Sequence, residues 1–89
     1  MPRLRRSVVS GPGLTRVRSG RGFRYRGPDG AAASADDRAR IEALVIPPAW
    51  SDVWISPHPN GHIQATGVDE AGRTQYLYHP DWRARRDRV

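Results

Sequence analysis

Val53-Trp54-Ile55-Ser56, His62-Ile63-Gln64-Ala65-Thr66-Gly67-Val68 and Arg73-Thr74-Gln75-Tyr76-Leu77-Tyr78-His79 are three runs with strand character, and they decide the fold. Pro57-His58-Pro59-Asn60-Gly61 separates the first two, and its Asn60-Gly61 step suits the positive φ of a tight turn. Asp69-Glu70-Ala71-Gly72 separates the second from the third. Short turns can only join antiparallel neighbours, so the spacing predicts a three-stranded meander.

Outward from this core, Phe23-Arg24-Tyr25-Arg26 alternates aromatic and basic residues before the turn Gly27-Pro28-Asp29-Gly30. That pattern predicts a short strand with two guanidinium groups on one face. Ser34 caps a helix whose first turn holds Asp36 and Asp37, both suited to the positive end of its dipole. Ala39, Ala43 and Ile46, with Ile41 and Leu44 beside them, form an apolar stripe at helical spacing, and Pro47-Pro48 ends the helix. Pro80-Asp81 opens a second helix running into Arg83, Arg85, Arg86 and Arg88. Residues 1–22, broken by Gly11-Pro12-Gly13 and Gly20-Arg21-Gly22, read as a flexible Arg-rich arm, with 23–89 as the folded domain. The expected class is α+β: a small antiparallel sheet, built from the meander plus one or two short N-terminal strands, with two short helices. No helix stop follows Arg88, so a domain cut short before a further one is expected.

Composition removes several function classes. A chain of 89 residues holds one small domain. It has no cysteine, which excludes disulfides, thiolate zinc sites and cysteine nucleophiles. All fifteen basic residues are arginine, so no lysine is present to act as a nucleophile or Schiff base. The longest apolar run, Ala43-Leu44-Val45-Ile46, is far short of the ~20 residues a membrane span needs. Ser7-Val8-Val9-Ser10-Gly11-Pro12 is too short and broken for a secretory signal, so a cytoplasmic protein is expected. Charge is segregated: +8 over residues 1–26, −5 over 27–72 and +3 over 73–89. Basic ends around an acidic middle suit a polyanionic partner.

The third run carries the most suggestive chemistry. Alternation places Thr74, Tyr76 and Tyr78 on one face and Arg73, Gln75, Leu77 and His79 on the other. Gln and Arg can read base edges bidentately, and tyrosine can stack or bond phosphate. The same run also fits a half-buried sheet with two tyrosines in its core. His58 and His62 stand four apart, but Pro57, Pro59 and Asn60-Gly61 forbid the helix on which such a pair converges. The glycines at 11, 13, 20 and 22 lack the strand–loop–helix setting of a nucleotide-binding loop. A stand-alone basic RNA- or ribosome-binding module is the alternative function that this composition allows.

Ile46-Pro47-Pro48-Ala49-Trp50-Ser51-Asp52-Val53-Trp54-Ile55, Asn60-Gly61-His62-Ile63-Gln64-Ala65-Thr66-Gly67 and the segment from Asp69 to His79 form an ordered series. With Gly22-Phe23-Arg24-Tyr25 upstream and Trp82-Arg83 downstream, the series resembles the amino-terminal domain of bacterial, poxvirus-like type IB DNA topoisomerases over residues 14–88. The resemblance implies an ATP-independent, two-domain isomerase that clamps duplex DNA. A larger carboxy-terminal domain would carry the tyrosine nucleophile that cleaves and rejoins one strand to relax supercoils. This domain would be the other jaw, on the major-groove side, with no catalytic residue of its own. Arg73, Gln75, Tyr76 and Tyr78 match the segment that touches bases and phosphates, and Arg24, Arg26 and Arg83 join them as candidate DNA-binding residues. Its implied partners are duplex DNA and the catalytic domain of the same parent chain, with no metal, cofactor or membrane. A monomer at the bacterial nucleoid is expected. Gln75 and Tyr76 can both meet DNA only if their strand is twisted or lies edge-on in the groove.

Overall fold

A computed structural model describes residues 3–87. Among these residues the chain forms β1 (Leu14–Ser19), β2 (Gly22–Arg26), α1 (Ala35–Leu44), β3 (Ser51–Ile55), β4 (Ile63–Val68), β5 (Thr74–Tyr78) and α2 (Pro80–Asp87). The five strands lie in one sheet of order β2-β1-β3-β4-β5, with every neighbouring pair antiparallel. The meander β3-β4-β5 is as the turns predicted. A β1–β2 hairpin extends it on one side, and β5 is the edge strand on the other. The α+β class holds, and the two expected helices are present.

One face of the sheet is the core. Leu14 pairs with Ile55, Ile55 with Ala65 and Ala65 with Leu77, so these four share a face. Leu14, Ile55 and Ala65 are buried, and Leu77 packs against them. Val53, two residues before Ile55, is buried on the same side. From α1, Ile41 closes this core at 1% exposure, with Leu44 and the following Ile46 packed at its margin. Trp50 lies directly on the backbone of Gly67: a Cβ there would stand 2.6 Å from Trp50 Cε3. Only a residue without a side chain fits beneath that indole.

The helix differs in detail from the stripe the sequence predicts. Ser34 caps it as expected, its hydroxyl accepting from the Asp37 amide at 3.1 Å. The inward face, however, is Asp37, Arg40, Ile41 and Leu44, while Ala39 and Ala43 are exposed. Arg40 explains the rotation. Its guanidinium donates to Asp37 Oδ1 (3.0 Å), Gln64 Oε1 (2.9 Å) and Ser56 O (2.9 Å), so a cation is satisfied at an inward position that the apolar stripe left out. The helix also stops at Leu44, because Val45 takes a left-handed conformation (φ 53°) and two prolines follow.

The expected flexible arm requires the larger correction. Leu14–Ser19, inside it, is β1, paired with both β2 and β3. Residues ahead of β1 are also bonded to the sheet. Arg5 N donates to Asn60 O (2.9 Å) and His62 N to Arg5 O (3.0 Å). Ser7 Oγ donates to Ile63 O (2.8 Å) and accepts from Ile63 N (3.1 Å). Trp54 Nε1 donates to Gly11 O at 3.1 Å. Most of these bonds use backbone atoms, and backbone bonding leaves no hydrophobic period to be read.

Candidate nucleic-acid interface

The face away from α1 carries a continuous row across all five strands. Arg26 pairs with Thr15, Thr15 with Trp54, Trp54 with Thr66 and Thr66 with Tyr76. Directly paired residues point to the same side of a sheet, so these five side chains share that face. It is open at Arg26, Thr15 and Tyr76, whereas Thr66 is buried and Trp54 is half-buried beneath the segment holding Gly11. Arg24 and Tyr78, two residues along their strands, lie on this face too. The structure thereby brings Arg24, Arg26, Tyr76 and Tyr78 to one face, but at its opposite edges. At a strand spacing near 4.8 Å, the ends of the row are roughly 19 Å apart. Arg24 and Arg26 are exposed, and among the described residues neither has a carboxylate at ion-pair distance. Tyr76 is 45% exposed and stacks on Tyr78 with ring centroids 6.3 Å apart at 27°.

Gln75 and Leu77 lie on the opposite face of the same strand, as alternation requires. Gln75 is half-buried and its Nε2 donates to Asp69 Oδ2 at 2.9 Å. Arg73 precedes β5 and is exposed, with Nε 3.5 Å from the same oxygen. Asp69 Oδ1 meanwhile accepts from the Ala71 and Arg73 amides at 3.0 and 2.9 Å. One carboxylate therefore fixes the β4–β5 turn and holds two candidate side chains. These bonds, the Arg73 amide foremost and Gln75 next, hold the Asp69 carboxyl below the usual carboxylate range. Sequence reasoning missed Asp69 as an organiser, although an Asp opening a turn that ends in Gly, four before Arg and six before Gln, was there to be seen.

Arg83 is exposed on α2. The side chains of Arg85 and Arg86, and Arg88 as a whole, lie outside the described residues. Trp82 of α2 meets His62 edge-on at 5.2 Å, and His62 Nδ1 accepts from the Ser7 amide at 3.0 Å. His58 Nδ1 lies 3.4 Å from Arg5 Nη1. Among the described residues, no three His, Asp or Glu side chains cluster as a metal site would need. Nor is any helix there long and apolar enough to cross a membrane.

Arg16 is a cation the sequence placed in the arm and the structure places against the core. Its Nη2 donates to Pro47 O (3.1 Å) and Trp50 O (2.6 Å), and its guanidinium stands 4.1 Å from the centre of the Phe23 ring. Burial lowers its pKa from the ordinary arginine value, which leaves it charged at neutral pH. The acids of α1, Asp36, Asp37 and Glu42, sit on the helix side of the sheet. There Arg40 and Arg38 pair with Asp37 and Glu42, whereas Arg24 and Arg26 on the other face have no such partner among the described residues.

Residues 22–69 match the family described as "Bacterial DNA topoisomerase IB, N-terminal domain". The chain is also 44% identical over 68 residues to "DNA topoisomerase 1B" of Acanthamoeba polyphaga mimivirus. That match covers 75% of this chain and 20% of the viral protein, so the chain corresponds to about a fifth of that relative's length.

Proposed function

The chain belongs to the family of N-terminal domains of bacterial DNA topoisomerase IB, and from that premise we propose that it is the DNA-clamping jaw of a type IB topoisomerase. Its role is positioning. It holds duplex DNA from the major-groove side while a C-terminal domain of the same parent chain cleaves and rejoins one strand through a tyrosine, relaxing supercoils. This work is done on the chromosome, in the bacterial cytoplasm, and without ATP.

The observation that carries this reading is the row from Arg26 to Tyr76 on the open face. Its span of roughly 19 Å exceeds the ~12 Å width of a major groove, so its two ends reach both phosphate walls. Arg24 and Arg26 bind phosphates at one end, and Tyr76 and Tyr78 pack on or bond to the backbone at the other. Because β5 is an edge strand among the described residues, no neighbouring strand there screens its outer side from the DNA. That placement lets Gln75 and Arg73 approach base edges or phosphates beside Tyr76, although they lie on the other side of the strand. Arg83 adds a phosphate contact from α2.

A titration of duplex DNA across a salt series tests the proposal. Neutralising about five phosphates gives log K a slope of roughly −4 to −5 against log salt. The double variant Arg26→Gln, Tyr76→Ala should bind markedly more weakly with the fold intact. A flat salt response, or structured RNA displacing duplex DNA, would overturn the reading.

A further inference from the structure

The proposal above uses the two edges of the sheet and leaves the cations ahead of β1 unassigned. These cations are held, not loose. Residues 5–7 run beside 60–63, with Arg5 bridged in parallel to Gly61, and Asn60 Nδ2 donating to Arg3 O at 3.0 Å. Ser7 takes both backbone groups of Ile63, whose partner on the other side is Tyr78. The segment therefore lies two strand spacings from Tyr78, roughly 10 Å away. Arg5 and Arg6 are exposed, and with Leu4 they line a shallow hollow floored by His62 and Trp82. Arg83 follows Trp82 on α2. Neither residues 3–13 nor residues 56–63 contain an acid.

We propose that this docked N-terminal strap is a phosphate grip, in which Arg5 and Arg6, with Arg83, hold the duplex DNA backbone on the β4 side of Tyr78. The inference rests on duplex DNA being the partner of the open face. A guanidinium offers a planar fork that fits a phosphate bidentately, and two on adjacent residues suit a polyanion better than a single charged group. Docking gives the strap a property that a free arm lacks. Its backbone is already ordered by bonds to 60–63, so binding costs only the side-chain freedom of the arginines. His62 joins the parts, since it accepts from Ser7 on one side and meets Trp82 on the other. Strap and α2 are thus set relative to each other before DNA arrives.

The test is a salt series of duplex titrations with three proteins: the unsubstituted chain, Arg5→Gln with Arg6→Gln, and Ser7→Ala. Both arginines are exposed, so their replacement should leave the melting temperature unchanged. The double variant should lose about 2 from the magnitude of the log K–log salt slope, near 0.9 for each phosphate released. Ser7→Ala keeps every charge but removes the bonds to Ile63, and should weaken binding severalfold. An unchanged slope in the double variant overturns the grip while leaving the open-face reading standing. A reduced slope with Ser7→Ala at full affinity also overturns it, because the clasp on Ile63 would then contribute nothing to the hold on DNA. Failure of the unsubstituted chain to bind duplex DNA removes the open-face reading itself.

Discussion

Neighbouring side chains of β5 have opposite tasks, although every one of them is polar or aromatic except Leu77. Leu77 is opposite Ala65 and packs on the core, while Gln75, on the same face, bonds Asp69 at the end of the sheet. Burial separates them energetically. Leu77→Ala removes packed apolar volume and should cost ~2–3 kcal/mol of stability, a large share of what a small domain has. Gln75→Ala loses one partly buried hydrogen bond, worth ~1 kcal/mol or less. Its larger effect should be on duplex binding, at ~1–3 kcal/mol if the amide meets a base edge. Thermal melts and one titration for each variant decide this. If Gln75→Ala unfolds the domain as readily as Leu77→Ala and binds DNA unchanged, the strand serves the core alone.

Single elements show where pattern and structure part. The β4–β5 turn depends on an ionised Asp69, whose folded pKa is depressed by the Arg73 amide and then by Gln75. A depressed carboxyl stabilises the fold above its unfolded pKa, and that contribution is lost as pH falls through the lowered folded value. The Ala71 and Arg73 amides should therefore keep their protection from hydrogen exchange from neutral pH down to about pH 4 and lose it below. Asp69→Ala should remove it at every pH. Loss beginning between roughly pH 6 and 5 would contradict this account. The meander, β2, both helices and the Ser34 cap were legible because their signals are local: period, turn residues and capping chemistry. β1 was not, since Leu14 and Val17 have opposite parity and the inward positions after Leu14 are Arg16 and Arg18. Arg16 can face inward only because Pro47 O, Trp50 O and the Phe23 ring receive it, and all three are distant in sequence. The α1 stripe was misplaced for the same reason, through Arg40. Of the candidate site, the residues of β2 and β5 were readable individually. Their meeting on one face was not, because it depends on β1 lying between β2 and β3.

Across the whole molecule, the two faces of the sheet differ in how their charges are paired. On the α1 side Asp37 and Glu42 hold Arg40 and Arg38. On the other face Arg24 and Arg26 have no carboxylate partner among the described residues, and Tyr76 and Tyr78 stack at the far end of the row. The family assignment and this difference lead to one central claim, that the open face and its β5 edge are where duplex DNA is held. Chemical-shift mapping of the isotope-labelled chain, titrated with a duplex of about two helical turns, tests that claim most directly. Shifts should concentrate on Arg24, Arg26, residues 73–78 and Arg83, leaving residues 36–42 of α1 unmoved. Shifts confined to α1, with β5 silent, would contradict it.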